Sequence, residues 1–193
     1  MPHDDEQPDL LSELTDLDLI RHLLADLHDD LDGKLARFHQ LVDLSGSLGP
    51  SGTLLFGGET TLALWREARW SFIHGNFVAT VLLCQGLAEN LLAAFLHAGL
   101  PFEDLPKRVS FAETLQRCRA RSILSETDAA DLRRLMGLRN PLSHFRDLDD
   151  ETNLSRRVLS TFEPAVEHLR GDATFAIGVA VRMLSLPAFR LGK

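Results

Sequence analysis

Arg139, Asn140 and His144 bring a guanidinium, an amide and an imidazole within six residues of one another, in the run Leu135-Met136-Gly137-Leu138-Arg139-Asn140-Pro141-Leu142-Ser143-His144-Phe145-Arg146. Arginine binds a phosphate bidentately and stabilises charge developing in a transition state. Histidine as a residue type titrates near neutrality, so it can exchange a proton with an attacking or leaving oxygen. Asparagine can orient the imidazole or donate to a phosphate oxygen. The set suits a phosphodiester. On RNA, the matching reaction is attack by the 2′-hydroxyl on the adjacent phosphorus, leaving a 2′,3′-cyclic phosphate and a 5′-hydroxyl. That scheme requires no metal and no cofactor. One imidazole cannot easily act as base and acid on opposite sides of the phosphorus, whereas a two-fold dimer would supply two. A structural reading competes: Arg139 offsetting a helix dipole, Asn140-Pro141 as a turn, and His144 as a half-buried polar residue.

A helix starting near Ser125, with Ser125 and Asp128 fitting a capping box, leads through Leu132, Leu135, Met136 and Leu138 into the motif. Pro141 would clash with the carbonyl of Gly137 and leave it without its usual donor, so a kink or restart is expected. If helix resumes, Asn140 and His144 share a face, with Arg139 and Ser143 on the neighbouring stripe. Arg139, Asn140 and His144 are therefore the candidate catalytic residues, and Ser143 and Arg146 the candidate substrate contacts. Gly137, Pro141 and Glu89 are expected in supporting roles.

The elements that must hold this motif are helical. Leu and Ala dominate, β-branched residues are sparse, and Tyr is absent from the 193 residues. Residues 1–8 read as a frayed tail. From 9 to 44, Leu10, Leu14, Leu17, Leu24, Leu27, Leu31, Leu35, Phe38 and Leu41 recur every three or four residues, an amphipathic helix with Asp26, Asp29, Asp30 and Asp32 on its solvated face. Gly33 is a weak point or a break into two helices. The near-heptad seam could pack within the chain or against a second copy. Residues 45–60 form a Gly-rich loop that lacks the Gly-Lys-Ser/Thr of a phosphate-binding loop. A second long helix spans about Thr60 to His97, with bending near Gly75, Trp65 and Trp70 as packing anchors, and Glu89 within an apolar run. If it faces inward, Glu89 needs an arginine partner. Gly99-Leu100-Pro101 stops that helix, and Ser110 with Glu113 caps a short one over 111–120. After the acidic link 147–151, helices near 154–169 and 174–186 are expected, separated at Gly171-Asp172. The reading is one all-α bundle without repeats or a domain boundary.

The formal net charge of -8 argues against a broad nucleic-acid-coating surface but leaves room for a local basic pocket. Arginines do cluster late, from Arg108 through Arg139 and Arg146 to Arg157. Cys84 and Cys118 fall in apolar patterns and read as reduced core thiols. The acidic N-terminus resembles no signal peptide, and Ala173 to Leu186 is too short to span a bilayer, so a cytoplasmic protein without a membrane partner is expected. His22, His28, His39, His74, His97 and His168 are scattered, and no metal site has ligand spacing.

The order Arg139-Asn140-x-x-x-His144, late in a helical bundle, resembles the Arg-x4–6-His motif of HEPN domains, the higher eukaryote and prokaryote nucleotide-binding superfamily. The stretch Phe77 to Leu92, with its embedded Glu89, is similar to that family's long apolar helix. The resemblance implies a HEPN-like core over 61–170, an up-and-down bundle built on two long antiparallel helices, followed by a C-terminal helix and tail over 171–193. It also implies a homodimer whose motifs face one another, RNA as substrate, and Arg139 and His144 as the catalytic pair with Asn140 in support. Many members are metal-independent endoribonucleases acting as toxins or defence effectors, which implies a separate antitoxin protein as a further partner. Other members are noncatalytic regulatory or interaction proteins, the alternative expectation here.

Overall fold

The computed structural model describes residues 15–48, 52–99 and 109–191. The expected tail over 1–8, Leu10 and Leu14 of the first helix, the stop at Leu100-Pro101, and Arg108 lie outside the described residues, as do parts of the 45–60 loop and the last two residues. The described residues form eight α-helices: α1 (Asp16–His28), α2 (Leu31–Ser45), α3 (Gly58–His74), α4 (Phe77–Ala98), α5 (Phe111–Ala120), α6 (Glu126–Ser143), α7 (Leu154–Thr161) and α8 (Ala165–Leu184). Single 3-10 turns follow α2 and α8. The described residues contain no sheet; Thr53 and Arg190 make an isolated antiparallel bridge.

The centre is α4. Its sequence is apolar on nearly every side, so it needs neighbours on several faces. It packs against α3, α5, α6 and α8, and Val81, Cys84, Leu87, Leu91 and Leu92 are fully buried. α4 is also the one described helix long and apolar enough to cross a bilayer. In the chain it is the helix the others surround.

Three expected boundaries move. The continuous helix expected over Thr60–His97 is two helices, because Gly75 adopts φ 79° and ends α3, with its N–H donating to Phe72 and Ser71 carbonyls. A left-handed residue there suits glycine, and a Cβ would approach the Arg37 guanidinium at 3.3 Å. The two-residue link then folds α4 back along α3, with Gly86 close to Leu64 and Gly57 close to Ala94. The N-terminal helix also divides, at Asp29-Asp30 rather than at Gly33. Asp30 sits at φ 50°, and its carboxylate accepts from Arg37 Nη2 at 2.9 Å. Arg37 is itself buried, donating from Nε to the Ile73 carbonyl at 3.0 Å and lying over the Phe77 ring. That contact fastens α2 to the α3–α4 corner.

The third correction concerns Gly171-Asp172, expected to separate two helices. The break falls instead at residues 162–164, where Phe162 takes φ 61° and Pro164 precedes α8. α8 runs unbroken through Asp172, which is buried and accepts from Arg157 Nη1 and Nη2 at 2.6 and 3.1 Å. The bidentate pair ties α7 to α8 and removes the reason to expect a solvated turn there. In the Gly-rich loop, Phe56 joins Phe95 and Phe189 in an edge-to-face cluster, and Leu54 N–H donates to the Phe189 carbonyl at 2.7 Å. That half of the loop is a packed strap between α4 and the chain's C-terminal end.

Candidate functional site

The site residues ride on α6, which is fixed from its start. Ser125 Oγ accepts from Asp128 N–H at 3.1 Å, and the Asp128 carboxylate accepts from Ser125 N–H at 3.0 Å, the expected capping box. Asp128 also accepts from Arg182 Nε of α8 at 2.8 Å. Burial pushes the Asp128 carboxyl up, but its bonds from Ser125 and Arg182 outweigh that and hold it below the ordinary 3.8. Leu132 and Leu135 are buried in the core. The far end of the helix therefore projects Arg139 to His144 from a rigid base.

Pro141 lies inside the last turn of α6 and does not end it. Helix continues through Ser143, and the cost is one backbone bond, that of the Gly137 carbonyl. A Cβ on Gly137 would meet nothing within 4 Å, so no close packing demands glycine there. His144 closes the helix, donating its N–H to the Asn140 carbonyl at 3.0 Å, and then turns extended at φ -133°, ψ 138°. Ser143 Oγ folds back on the Arg139 carbonyl at 3.2 Å.

This geometry brings Arg139 and His144 side chains together, with Nη1 and Nε2 3.3 Å apart. A guanidinium has only donors, so it can donate to Nε2 only when that nitrogen carries no proton. Asn140 is half-buried and has no side-chain hydrogen bond among the described residues, so Arg139, and not the amide, orients the ring. Arg139 also has no carboxylate partner among the described residues. Other arginines do: Arg157 with Asp172, Arg182 with Asp128, Arg117 with Glu113, Arg119 and Arg133 with Glu126. Several of the late arginines are thus paired with carboxylates, whereas Arg134, Arg139 and Arg156 meet none among the described residues.

The other expected participants are not drawn into that pair. Arg146 sits 3.7 Å from Asp150 through Nε, which is buried without a hydrogen-bond partner. Its carbonyl accepts from Asn153 Nδ2 at 2.8 Å, and Asn153 caps α7 through Ser155 and Arg156 N–H groups. Arg146 thus belongs to the turn that carries the chain from His144 to α7. Glu89 is exposed on α4 and accepts from Gln85 Nε2 at 3.0 Å; among the described residues it has no arginine partner and no bond to Arg139 or His144.

Beside the motif, α6, the link before α7, α7 and α8 enclose a groove of about 410 Å3 lined by Arg134, Gly137, Pro141, Thr152, Arg157 and Asp172, among others. Arg134 lies 4.0 Å over the Phe175 ring. Spacing along the chain does not single out Arg134, Arg157 or Asp172 as a group; a charged residue directly before the apolar run from Ala173 is the one local signal of the Arg157–Asp172 pair. Phe145, next to His144, is 89% exposed and so lends the site no packing. Cys84 and Cys118 are buried and unpaired. Burial raises both thiols, that of Cys118 to about 11, which makes them poor nucleophiles. Among the described residues no group of three His, Cys, Asp or Glu could hold a metal ion.

No family model, curated protein or solved structure matches the chain.

Proposed function

We propose that the chain is a metal-independent endoribonuclease of HEPN-like build, acting as a two-fold dimer. The observation that carries this reading is the Arg139–His144 pair, 3.3 Å apart at the solvent-facing end of an anchored helix. In a two-fold pair, an imidazole with Nε2 unprotonated can serve as the general base while the second copy's, protonated, serves as the general acid. A phosphodiester offers the guanidinium better acceptors in its nonbridging oxygens. Drawn onto them, Arg139 frees Nε2 to take the proton of the 2′-hydroxyl as that oxygen bonds to phosphorus. The bond from phosphorus to the 5′-oxygen breaks, and the leaving oxygen takes a proton from the imidazolium of the second copy's His144. The products are a 2′,3′-cyclic phosphate and a 5′-hydroxyl. A toxin or defence effector held in check by a separate antitoxin protein fits such an activity.

The test is labelled single-stranded RNA incubated with purified protein in excess chelator, with end groups identified. Cleavage with cyclic-phosphate ends is expected, falling by at least about a hundredfold in both His144→Ala and Arg139→Ala. Cleavage that survives either substitution unchanged, or that stops with chelator, removes the mechanism. A noncatalytic, regulatory role for the same fold is the second reading, favoured by the apolar surface of α1. It predicts no cleavage and partner binding that is indifferent to His144→Ala.

A further inference from the structure

The described residues expose twenty large apolar side chains, and ten of them lie between Leu17 and Val42. α1 buries no residue in the chain. A helix of 13 residues has little stability alone in water, and most helices gain theirs by burying an apolar face. Leu17, Ile20, Leu24 and Leu27 follow one another at intervals of three, four and three residues, and each is between 51% and 58% exposed. Those intervals are the a and d positions of a heptad repeat, the pattern of a helix that packs along another helix. We infer that α1 pairs in parallel with α1 of a second copy of this chain, forming an intermolecular seam.

The charges choose the occupant. Asp18, Asp26 and Asp29 occupy positions pointing away from the seam, leaving Asp16 and Arg21 among the residues that flank it. In a parallel pair, Asp16 of one copy lies beside Arg21 of the other, opposite in sign on both sides of the seam. An antiparallel pair would set the two Arg21 against each other and leave Asp16 without that partner. Arg21 now lies 3.5 Å from Asp18 in an exposed pair, weak enough to yield to a new partner. An anionic membrane surface is a poor occupant, because interfacial helices carry Lys and Arg on their polar face where α1 carries mainly Asp. The same acidity disfavours nucleic acid. Beyond the seam, Leu35, Phe38 and Val42 of α2, also about half exposed, extend the apolar surface available to the second copy. The seam does not depend on Arg139 and His144 being catalytic.

Sedimentation velocity of the full chain at micromolar concentration tests it, with a mass twice the 21.5 kDa of one chain expected. Leu24→Asp would bury an unpaired carboxylate and should weaken the pair by about a hundredfold, giving a single-chain mass. Its thermal melt should match that of wild type diluted until it has a single-chain mass, because Leu24 is about half exposed in its own chain and not part of its core. Arg21→Asp should weaken the dimer, and the double variant Asp16→Arg with Arg21→Asp should restore it. Leu17→Cys should cross-link between copies on oxidation, since only a parallel pairing puts the two positions side by side. A monomeric wild type, a dimer indifferent to Leu24→Asp, a mass of four chains, or Leu17→Cys chains that stay uncoupled would each overturn the seam. So would a monomer that floats with phosphatidylserine vesicles. Cleavage lost in a variant that remains dimeric bears on the Arg139–His144 reading alone.

Discussion

α4 and α1 are both leucine-rich helices, and the chain treats them in opposite ways. α4 is apolar around its circumference and has helices packed along several faces, with Leu87, Leu91 and Leu92 sealed from water. α1 is apolar over one broad face, which also takes in Leu19 and Leu23, and mainly polar on the other, and it buries none of its own residues. A fully apolar helix needs neighbours on several sides, and one chain can supply them all at once. A one-sided helix needs a single neighbour, which its own chain can leave unfilled. The difference separates a fold-making element from one that stays available.

That contrast can be broken by truncation. Leu91→Ala in α4 should cost about 2–5 kcal/mol of unfolding free energy in urea denaturation, the usual cost of a core leucine. A loss under about 1 kcal/mol would mean that α4 is not the centre. Next in size is Arg157→Met, which leaves the buried Asp172 carboxylate without its bidentate partner; about 2–3 kcal/mol is expected, since Arg157 is partly exposed. Gly75→Ala forces a side chain into φ 79° and toward Arg37, and should cost about 1–2 kcal/mol. Hydrogen exchange should locate that loss at the α3–α4 corner and α2, sharpening where α2 joins the core.

Acidity offers another probe of the core side. The Asp128 carboxyl in the folded chain lies below its ordinary value of 3.8, so it contributes stability above that pH. The contribution fades as pH falls below 3.8 through the folded value, because the native state then takes up the proton last. Melting followed from pH 6 to 2 should show this acid loss, and Asp128→Asn should flatten it while lowering stability at neutral pH by about 1–2 kcal/mol. An unchanged acid slope would mean that the capping box and Arg182 do not hold that charge. The smallest expected effect is on α1. In chains kept monomeric by Leu24→Asp, Leu27→Ala should move the stability of the core by less than about 0.5 kcal/mol, as for any exposed position. A loss of 2 kcal/mol there would show that α1 is packed against its own chain.

Local signals carried much of the architecture. Ser125 and Asp128 at capping-box spacing predicted the start of α6, and Ser110 that of α5, because these bonds join residues three apart. Glu113 does not complete its box, since its side chain turns to Arg117 instead. Gly75 was read as a bend because a glycine in a helical run licenses either bending or termination, and only the packing of α3 against α4 selects the latter. Asp172 was read as part of a break because its partner, Arg157, lies on a different helix. The motif was legible as residue types at i, i+1 and i+5, yet the contact within it was not. Which of Asn140 and Arg139 would touch His144 depended on whether the chain turned extended at residue 144.

By itself, then, the sequence determined helices, their caps, the apolar character of α4 and the heptad stripe of α1. These are properties of neighbours within a turn or two, where the backbone fixes the spacing. Tertiary structure decided which charges are neutralised: Arg157, Arg182 and Arg37 meet carboxylates, while Arg139 meets an imidazole. The Arg157 and Arg182 pairings join different helices, and that of Arg37 reaches back to the left-handed residue that precedes its own helix. The strength and direction of an ionic contact depend on distances in space that no spacing along the chain specifies.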